Sequence, residues 1–578
     1  MSELYELTMQ QTMQQTSQED RQRILSEDYV SLIFHTQNSP FDPTEILEEL
    51  LPQVVNRKYV ILNAPLAEFP PDIASQGYYS IPKLFTLLDT ASLEASGILR
   101  VQNQPFLNLK GRGVIIGFID TGINYQHPAF RNPDGSSRIL RIWDQTIQTG
   151  QIPEGFRYGS EYTQEQIDLA LRSSSPLSIV PTTDSDGHGS TMAGIAAGSV
   201  DETAQFSGAA PLASIMVVKL KPAKQYLRDY FLVDDAAVVF QEDDCMLAVS
   251  YLERRARSLN RPLVICFGLG TNQGGHDGHT PLDEVFNSIT FTAGNYAVIA
   301  GGNETGLGHH YFGKLERMGD SSEVEVVVDR ETRGFTMELW AFSPELYALG
   351  VISPLGERVS PLDPRIGASQ NTFFLLDRSS VKIDYEIVEF QTGSQLIQVR
   401  VENPSMGVWR FQVVNKRFLN GNFHMWLPAG EMISPYVRFL YPDPDTTLTV
   451  PSCNDNIICI STYSAYDNTL FLNSSRGYTR DNHIKPDIAA PGVNLPVPYG
   501  NSAYVRFTGS SAAASISGGA VALLVQWGME DLNGKILSNN EVKNLLYRGA
   551  KRSEALYYPN REWGYGALDV YGIFESLI

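Results

Sequence analysis

Three short segments each place one reactive polar side chain at the end of an apolar or small-residue run. In residues 113–123 (GVIIGFIDTGI), Asp120 closes a run that reads as a buried strand, and parallel α/β sheets present functional groups at the carboxyl ends of their strands. In residues 186–194 (DGHGSTMAG), His188 stands between Gly187 and Gly189, so other backbone can approach its imidazole closely. In residues 508–514 (TGSSAAA), Ser510 and Ser511 open a helix of small residues. Singly, each has an ordinary explanation: a cap or turn for the Asp, a solvated loop for the His, tight helix packing for the small residues. Together, a carboxylate, an imidazole and a hydroxyl are the parts of nucleophilic acyl transfer. The hydroxyl attacks a carbonyl, the imidazole takes and returns its proton, and the carboxylate orients the imidazole.

The elements that must position these residues predict an α/β sheet interrupted by a β-rich block. Apolar runs at 114–119, 214–220, 263–267 and 297–300 suit parallel strands buried on both faces, and helical patterns at 237–259 and 283–293 fall between them. From about residue 310 that alternation stops. Short β-rich runs (323–328, 335–341, 372–376, 382–390, 396–401, 408–414 and 422–427) are punctuated by Pro, Gly, Asn and Asp with no long helix, which predicts an inserted β-sandwich or jelly roll. The α/β texture resumes near Ile457 and includes a long helix over 511–527. Ahead of the sheet, strands at 29–34 and 58–66 and a helix over 42–51 make a small α+β unit. The expected divisions are 1–95 for this unit, 96–308 and 452–578 for the two parts of the α/β domain, and 309–451 for the insertion.

Composition bounds the function. A chain of 578 residues is too long for one ordinary core, and 43% hydrophobic with 19% charged residues fits a folded protein. Lys+Arg is 44 against Asp+Glu 65, and the net charge of −21 argues against nucleic acid or an anionic membrane as the main partner. Cys245, Cys266, Cys453 and Cys459 form no Cys-x-x-Cys pair and read as buried thiols. The N-terminus has neither the basic nor the apolar region of a secretory signal, which predicts a protein that stays where it is made. Runs such as 263–267 and 520–525 fall short of the roughly 20 residues of a membrane span. His279, His309 and His310 match no strong metal-ligand spacing and read as solvated loop histidines.

IDTGI, DGHGSTMAG and GSSAAASISGG, in the order Asp, His, Ser, resemble the active-site signatures of the subtilases, and residues 484–493 (IKPDIAAPGV) and 208–220 (GAAPLASIMVVKL) resemble two further family segments. The resemblance implies a subtilisin-like serine endopeptidase with Asp120, His188 and Ser511 as catalytic residues. Ser510 falls at the family's Thr position and Ser511 at its Ser. Gly301-Gly302-Asn303-Glu304 resembles the family's Ala-Gly-Asn-Glu, which makes Asn303 the oxyanion donor alongside the Ser511 backbone N–H. Gly268, Leu269 and Gly270 would pair with an extended substrate, and Gly301 and Gly302 would wall the specificity pocket. The chain departs from the pattern at Gly268 (family Ser), Ala512 (family Met) and Ser515 (family Pro). No cofactor is implied; calcium sites are common among subtilases, but no loop here names its ligands.

The long block between Asn303 and Ser511, the RILRIWDQ segment at 138–145 and the absent signal resemble the clostridial germination-specific subtilases of the Csp type. That resemblance implies a spore-associated protease, cytoplasmic in the producing cell, that activates a cortex-lytic zymogen. It also makes residues 1–95 a prodomain acting as an intramolecular chaperone, cut somewhere in 86–97 and retained as a bound inhibitor of the cleft. The alternative, a pseudoprotease acting as a regulatory partner, is weighed against the complete set Asp120, His188, Asn303 and Ser511. The insertion would pack against and rigidify the catalytic domain, present a docking surface, or serve stability alone.

Overall fold

The computed structural model describes residues 18–36, 50–87, 96–103, 107–532 and 534–577. The helix expected over 42–51 lies almost wholly outside the described residues, as does most of the segment 86–97 expected to hold the cut. The N-terminal unit pairs β1 (Tyr29–His35), β2 (Gln53–Val54) and β3 (Tyr59–Pro65) in an antiparallel sheet of order β1-β3-β2. It rests on the helices Glu242–Ser258 and Pro281–Thr290: the Ser250 hydroxyl donates to the Val55 carbonyl at 2.7 Å and Lys58 pairs with Glu284. After β3 the chain runs into β4 (Leu84–Leu87), which leaves this sheet.

The central sheet contains β5 (Ile115–Asp120), β6 (Ile139–Asp144), β7 (Ser160–Thr163), β8 (Ser214–Lys219), β10 (Leu263–Phe267), β12 (Asn295–Ala300), β24 (Ile458–Ser464), β25 (Thr469–Leu470) and β26 (Ile488–Pro491). Its order is β25-β24-β12-β10-β5-β8-β6-β7, with β26 also on β24, and the pairs from β6 through β24 to β26 are parallel. Both faces are covered, which is why these strands read as unbroken apolar runs. One face carries the helices His188–Ala197 and Ser510–Asp531, the other Glu242–Ser258 and Pro281–Thr290. The small residues of Ser510–Asp531 set its distance from the sheet: a Cβ on Gly518 would stand 2.1 Å from the Cys266 Sγ. This helix is long and apolar enough to cross a membrane by composition, yet 89% of its apolar window is buried inside the protein. All four cysteines are buried and free.

Two antiparallel sheets form the inserted unit: β13 (His310–Lys314), β22 (Asn422–Trp426), β15 (Gly334–Ala341), β20 (Gln395–Glu402), β19 (Ser379–Glu386) and β18 (Ser369–Phe374) in one, β17 (Arg358–Val359), β16 (Leu346–Ile352), β21 (Gly407–Arg417), β14 (Ser321–Val328) and β23 (Val437–Phe439) in the other. Alternation builds its core: along β21, Trp409, Phe411 and Val413 point inward while Arg410 and Gln412 do not. Two sequence expectations change. The helix expected from 237 begins at Glu242, because Val239–Gln241 is a strand, β9, paired with β4. His309 and His310 are buried rather than solvated, whereas His279 is exposed.

Candidate active site

Asp120 is the last residue of β5 and is fully buried. The helix His188–Ala197 starts beside it because Gly189 has no side chain: a Cβ there would stand 2.1 Å from the Gly122 carbonyl. Asp184 holds the helix start, its carboxylate accepting from the N–H groups of Gly187 at 2.9 Å and Ser190 at 2.8 Å and from the Thr121 hydroxyl at 2.8 Å. At the other end Arg138 binds the carbonyls of Ala197, Ala129 and Ala213, and burial lowers its guanidinium to about 10. The two ends thus fix the imidazole relative to the strand.

The Nδ1–H of His188 donates to Asp120, lying 2.8 and 2.9 Å from its two carboxylate oxygens, and Nε2 accepts from the Ser511 hydroxyl at 3.0 Å. All three side chains are buried, and the Phe507 ring lies 6.0 Å from the imidazole. Such a dry chain of hydrogen bonds can deprotonate the hydroxyl as it attacks and stabilise the imidazolium that results. Among the described residues the neighbouring buried Ser510 Oγ has no hydrogen-bond partner, whereas the Ser511 Oγ meets the His188 imidazole. Burial raises the carboxyl of Asp186, two residues before His188, against the lowering influence of that imidazole.

The remaining candidates follow the carboxyl ends of adjacent strands. Gly268 succeeds β10 and lies against Ser511: a Cβ on it would lie 2.9 Å from the Ser511 Cβ and 2.4 Å from the Met192 Sδ. Leu269 and Gly270 form β11. Ile299 pairs with Phe267, so Gly301, Gly302 and Asn303 leave β12 at the level at which β11 leaves β10. Asn303 is half-buried. The next residue, Glu304, entered the sequence reading only as the end of the Gly-Gly-Asn-Glu segment, with no role of its own. It is buried and accepts from the His309 imidazole at 2.7 Å, the Asn272 amide at 3.0 Å and the Gly430 N–H at 2.9 Å. His309, five residues on, was the available signal; Gly430, across the insertion, gave none.

A strand already lies along this site. β4 is the middle strand of a three-stranded sheet of order β11-β4-β9, with Leu87 opposite Leu269 and Thr86 opposite Gly270 on one side, and Leu84, Phe85 and Thr86 opposite Gln241, Phe240 and Val239 on the other. It runs toward Gly268, and hence toward Ser511. Among the described residues no group of three or more His, Cys, Asp or Glu side chains is placed to hold a metal ion, so the calcium expectation acquires no ligand set.

Comparisons with known proteins agree with this geometry. The subtilase family model matches residues 111–331 and 421–566, leaving out part of the inserted β unit. The solved structure of the Clostridium perfringens CspB protease superposes with a TM-score of 0.74 at 29% identity, covering 84% of this chain and 98% of that one. A subtilisin-like protease of Arabidopsis thaliana, SBT2.2, is 35% identical over 126 residues, and the C5a peptidase of Streptococcus pyogenes 34% over 107. These stretches span 15% and 9% of those relatives' lengths. The chain belongs to the subtilase family, and within it shares the Csp-type architecture.

Proposed function

We propose that the chain is a serine endopeptidase that first cuts its own N-terminal unit and then activates a zymogen by limited proteolysis. The observation that carries the reading is His188 hydrogen-bonded at once to Asp120 and Ser511. Ser511 attacks the scissile carbonyl while His188 takes its proton, and the imidazolium, supported by Asp120, then protonates the leaving amine. Asn303 and the Ser511 N–H serve as oxyanion donors, and water repeats the sequence to free the acyl group. None of these steps calls for a cofactor. β4 supports the self-cutting part: it pairs with β11 and ends at Leu87, opposite Leu269 and one pairing short of Gly268, which lies against Ser511. The same occupancy makes the N-terminal unit an inhibitor until it leaves. By the resemblance of its sequence layout to the Csp-type subtilases, the substrate in this reading is a spore cortex-lytic zymogen and the site of action the spore.

The test compares wild type with Ser511→Ala by denaturing gel electrophoresis, N-terminal sequencing and labelling with a fluorophosphonate. Wild type should lose its N-terminal unit and take the label, and Ser511→Ala should do neither; loss of the nucleophile costs about 10⁶ in kcat in enzymes of this kind. A folded wild type that stays full-length, and that takes no label once its N-terminal unit has been removed by added protease, favours the regulatory pseudoprotease.

A further inference from the structure

The strand in the cleft is read from two sides. Successive side chains of β4 point to opposite faces. Phe85 faces the catalytic unit, in one apolar cluster with Phe240, Phe267, Leu269 and Phe286, its ring 6.1 Å from that of Phe267. Leu84 lies in a different cluster, which joins Trp340, Trp426, Ala429 and Met432 of the inserted unit to Leu227, Phe231 and Val239 of the catalytic unit. Thr86, on the same face as Leu84, meets the turn Gly430–Met432: its Cγ2 is 3.1 Å from where a Cβ on Gly430 would stand. The turn is held to the catalytic unit from both sides, Gly430 N–H donating to Glu304 at 2.9 Å and the Met432 carbonyl accepting from the Asp234 N–H at 3.1 Å.

We propose that the inserted β unit is one wall of the substrate groove and selects the substrate's side chains at the Leu84 and Thr86 places, while the catalytic unit selects those at the Phe85 and Leu87 places. The proposal rests on β4 occupying the position of a substrate strand. Its chemistry follows from the walls. The Leu84 place, fully buried in the apolar cluster that includes Met432, Trp340 and Trp426, takes an uncharged apolar side chain. The Thr86 place, against the backbone of Gly430, takes a small one. The substrate class is an extended segment reading large apolar, aromatic or large apolar, small, apolar, placed just ahead of the cut bond.

The experiment uses the processed full chain and peptides of the protein's own sequence 82–95 (PKLFTLLDTASLEA), altered singly as Leu84→Asp, Thr86→Trp and Phe85→Asp. Wild type should cut the parent peptide with kcat/KM at least about tenfold above each altered one. Met432→Lys enzyme should erase or reverse the preference for Leu over Asp at the Leu84 place and leave the ranking at Phe85 unchanged, a split that general loss of folding does not produce. Met432→Ala, a milder change, should narrow the same preference and decides the matter if Met432→Lys cuts nothing. Active enzymes with unaltered preference at the Leu84 place overturn the role of the inserted unit. A wild type that cuts no peptide and takes no fluorophosphonate overturns the protease reading itself, and this proposal with it.

Discussion

Gly268 stands where the subtilase pattern has a serine, and Met192 accounts for the exchange. The thioether fills the space a side chain would need, and the Ser511 Cβ closes the rest. Gly268→Ala should therefore displace Ser511 and lower kcat/KM by about 10²-fold, since displacements of about 1 Å have that effect. Adding Met192→Ala should recover part of it, as steady-state kinetics on a peptide substrate would show. Ser515, at the family's Pro position, donates its hydroxyl to the Ser511 carbonyl at 2.9 Å, adding a bond to the helix turn that carries Ser511. Asn303→Ala should lower kcat by about 10²–10³ with a smaller change in KM, because the oxyanion exists only after attack.

At the scale of elements, a stack of rings joins the inserted unit to the catalytic one. His276 lies face to face with Trp426 at 4.0 Å, Trp426 with His310 at 4.9 Å, and the His310 Nε2 is 3.0 Å from the His424 Nδ1. Burial, with the charge of His276 adding to it, pushes the His310 imidazole down to about 3. Between that value and the ordinary 6.5 or so the unfolded chain holds a proton the folded chain does not, so this contribution to stability falls as pH drops from about 6.5 toward 3. Asp283, raised to about 8 by burial, acts in the opposite sense, stabilising less as pH rises from the ordinary carboxylate range to 8. Thermal unfolding of Ser511→Ala with and without His310→Phe, from pH 7 to 4.5, separates the two: the added substitution should flatten the acid-side fall in Tm.

At the scale of the whole molecule, Arg480 clamps the insertion to the protease. Its side chain is 0% exposed; the guanidinium binds Asp277 and the Gly275 carbonyl of the catalytic unit, the Ser394 hydroxyl at 3.0 Å in the insertion, and lies 3.9 Å from the Phe342 ring centre. Arg480→Met would leave Asp277 buried without its partner and should destabilise the protein by about 3–5 kcal/mol, measured by denaturant unfolding in the Ser511→Ala background.

The sequence alone determined the parallel sheet and the interrupting β run, and it singled out Asp120, His188 and Ser511, which the fold brings into hydrogen-bond contact, because strands buried on both faces, alternating strands and glycines at close approaches each leave a local pattern. It named Ser511 over Ser510 only by family position; the hydrogen bond to His188 is what distinguishes their surroundings. Residues 237–259 read as one helix because Val238, Val239 and Phe240 suit a buried helix as well as a strand, and β4, their partner, lies far away in the chain. His309 and His310 read as solvated because Glu304 and His424, which bind them in the interior, are brought there by the fold. Tertiary structure alone decided that the insertion adjoins the cleft: the contacts of Gly430 with Thr86 and Glu304 join residues more than a hundred positions apart, and composition carries no record of such pairings.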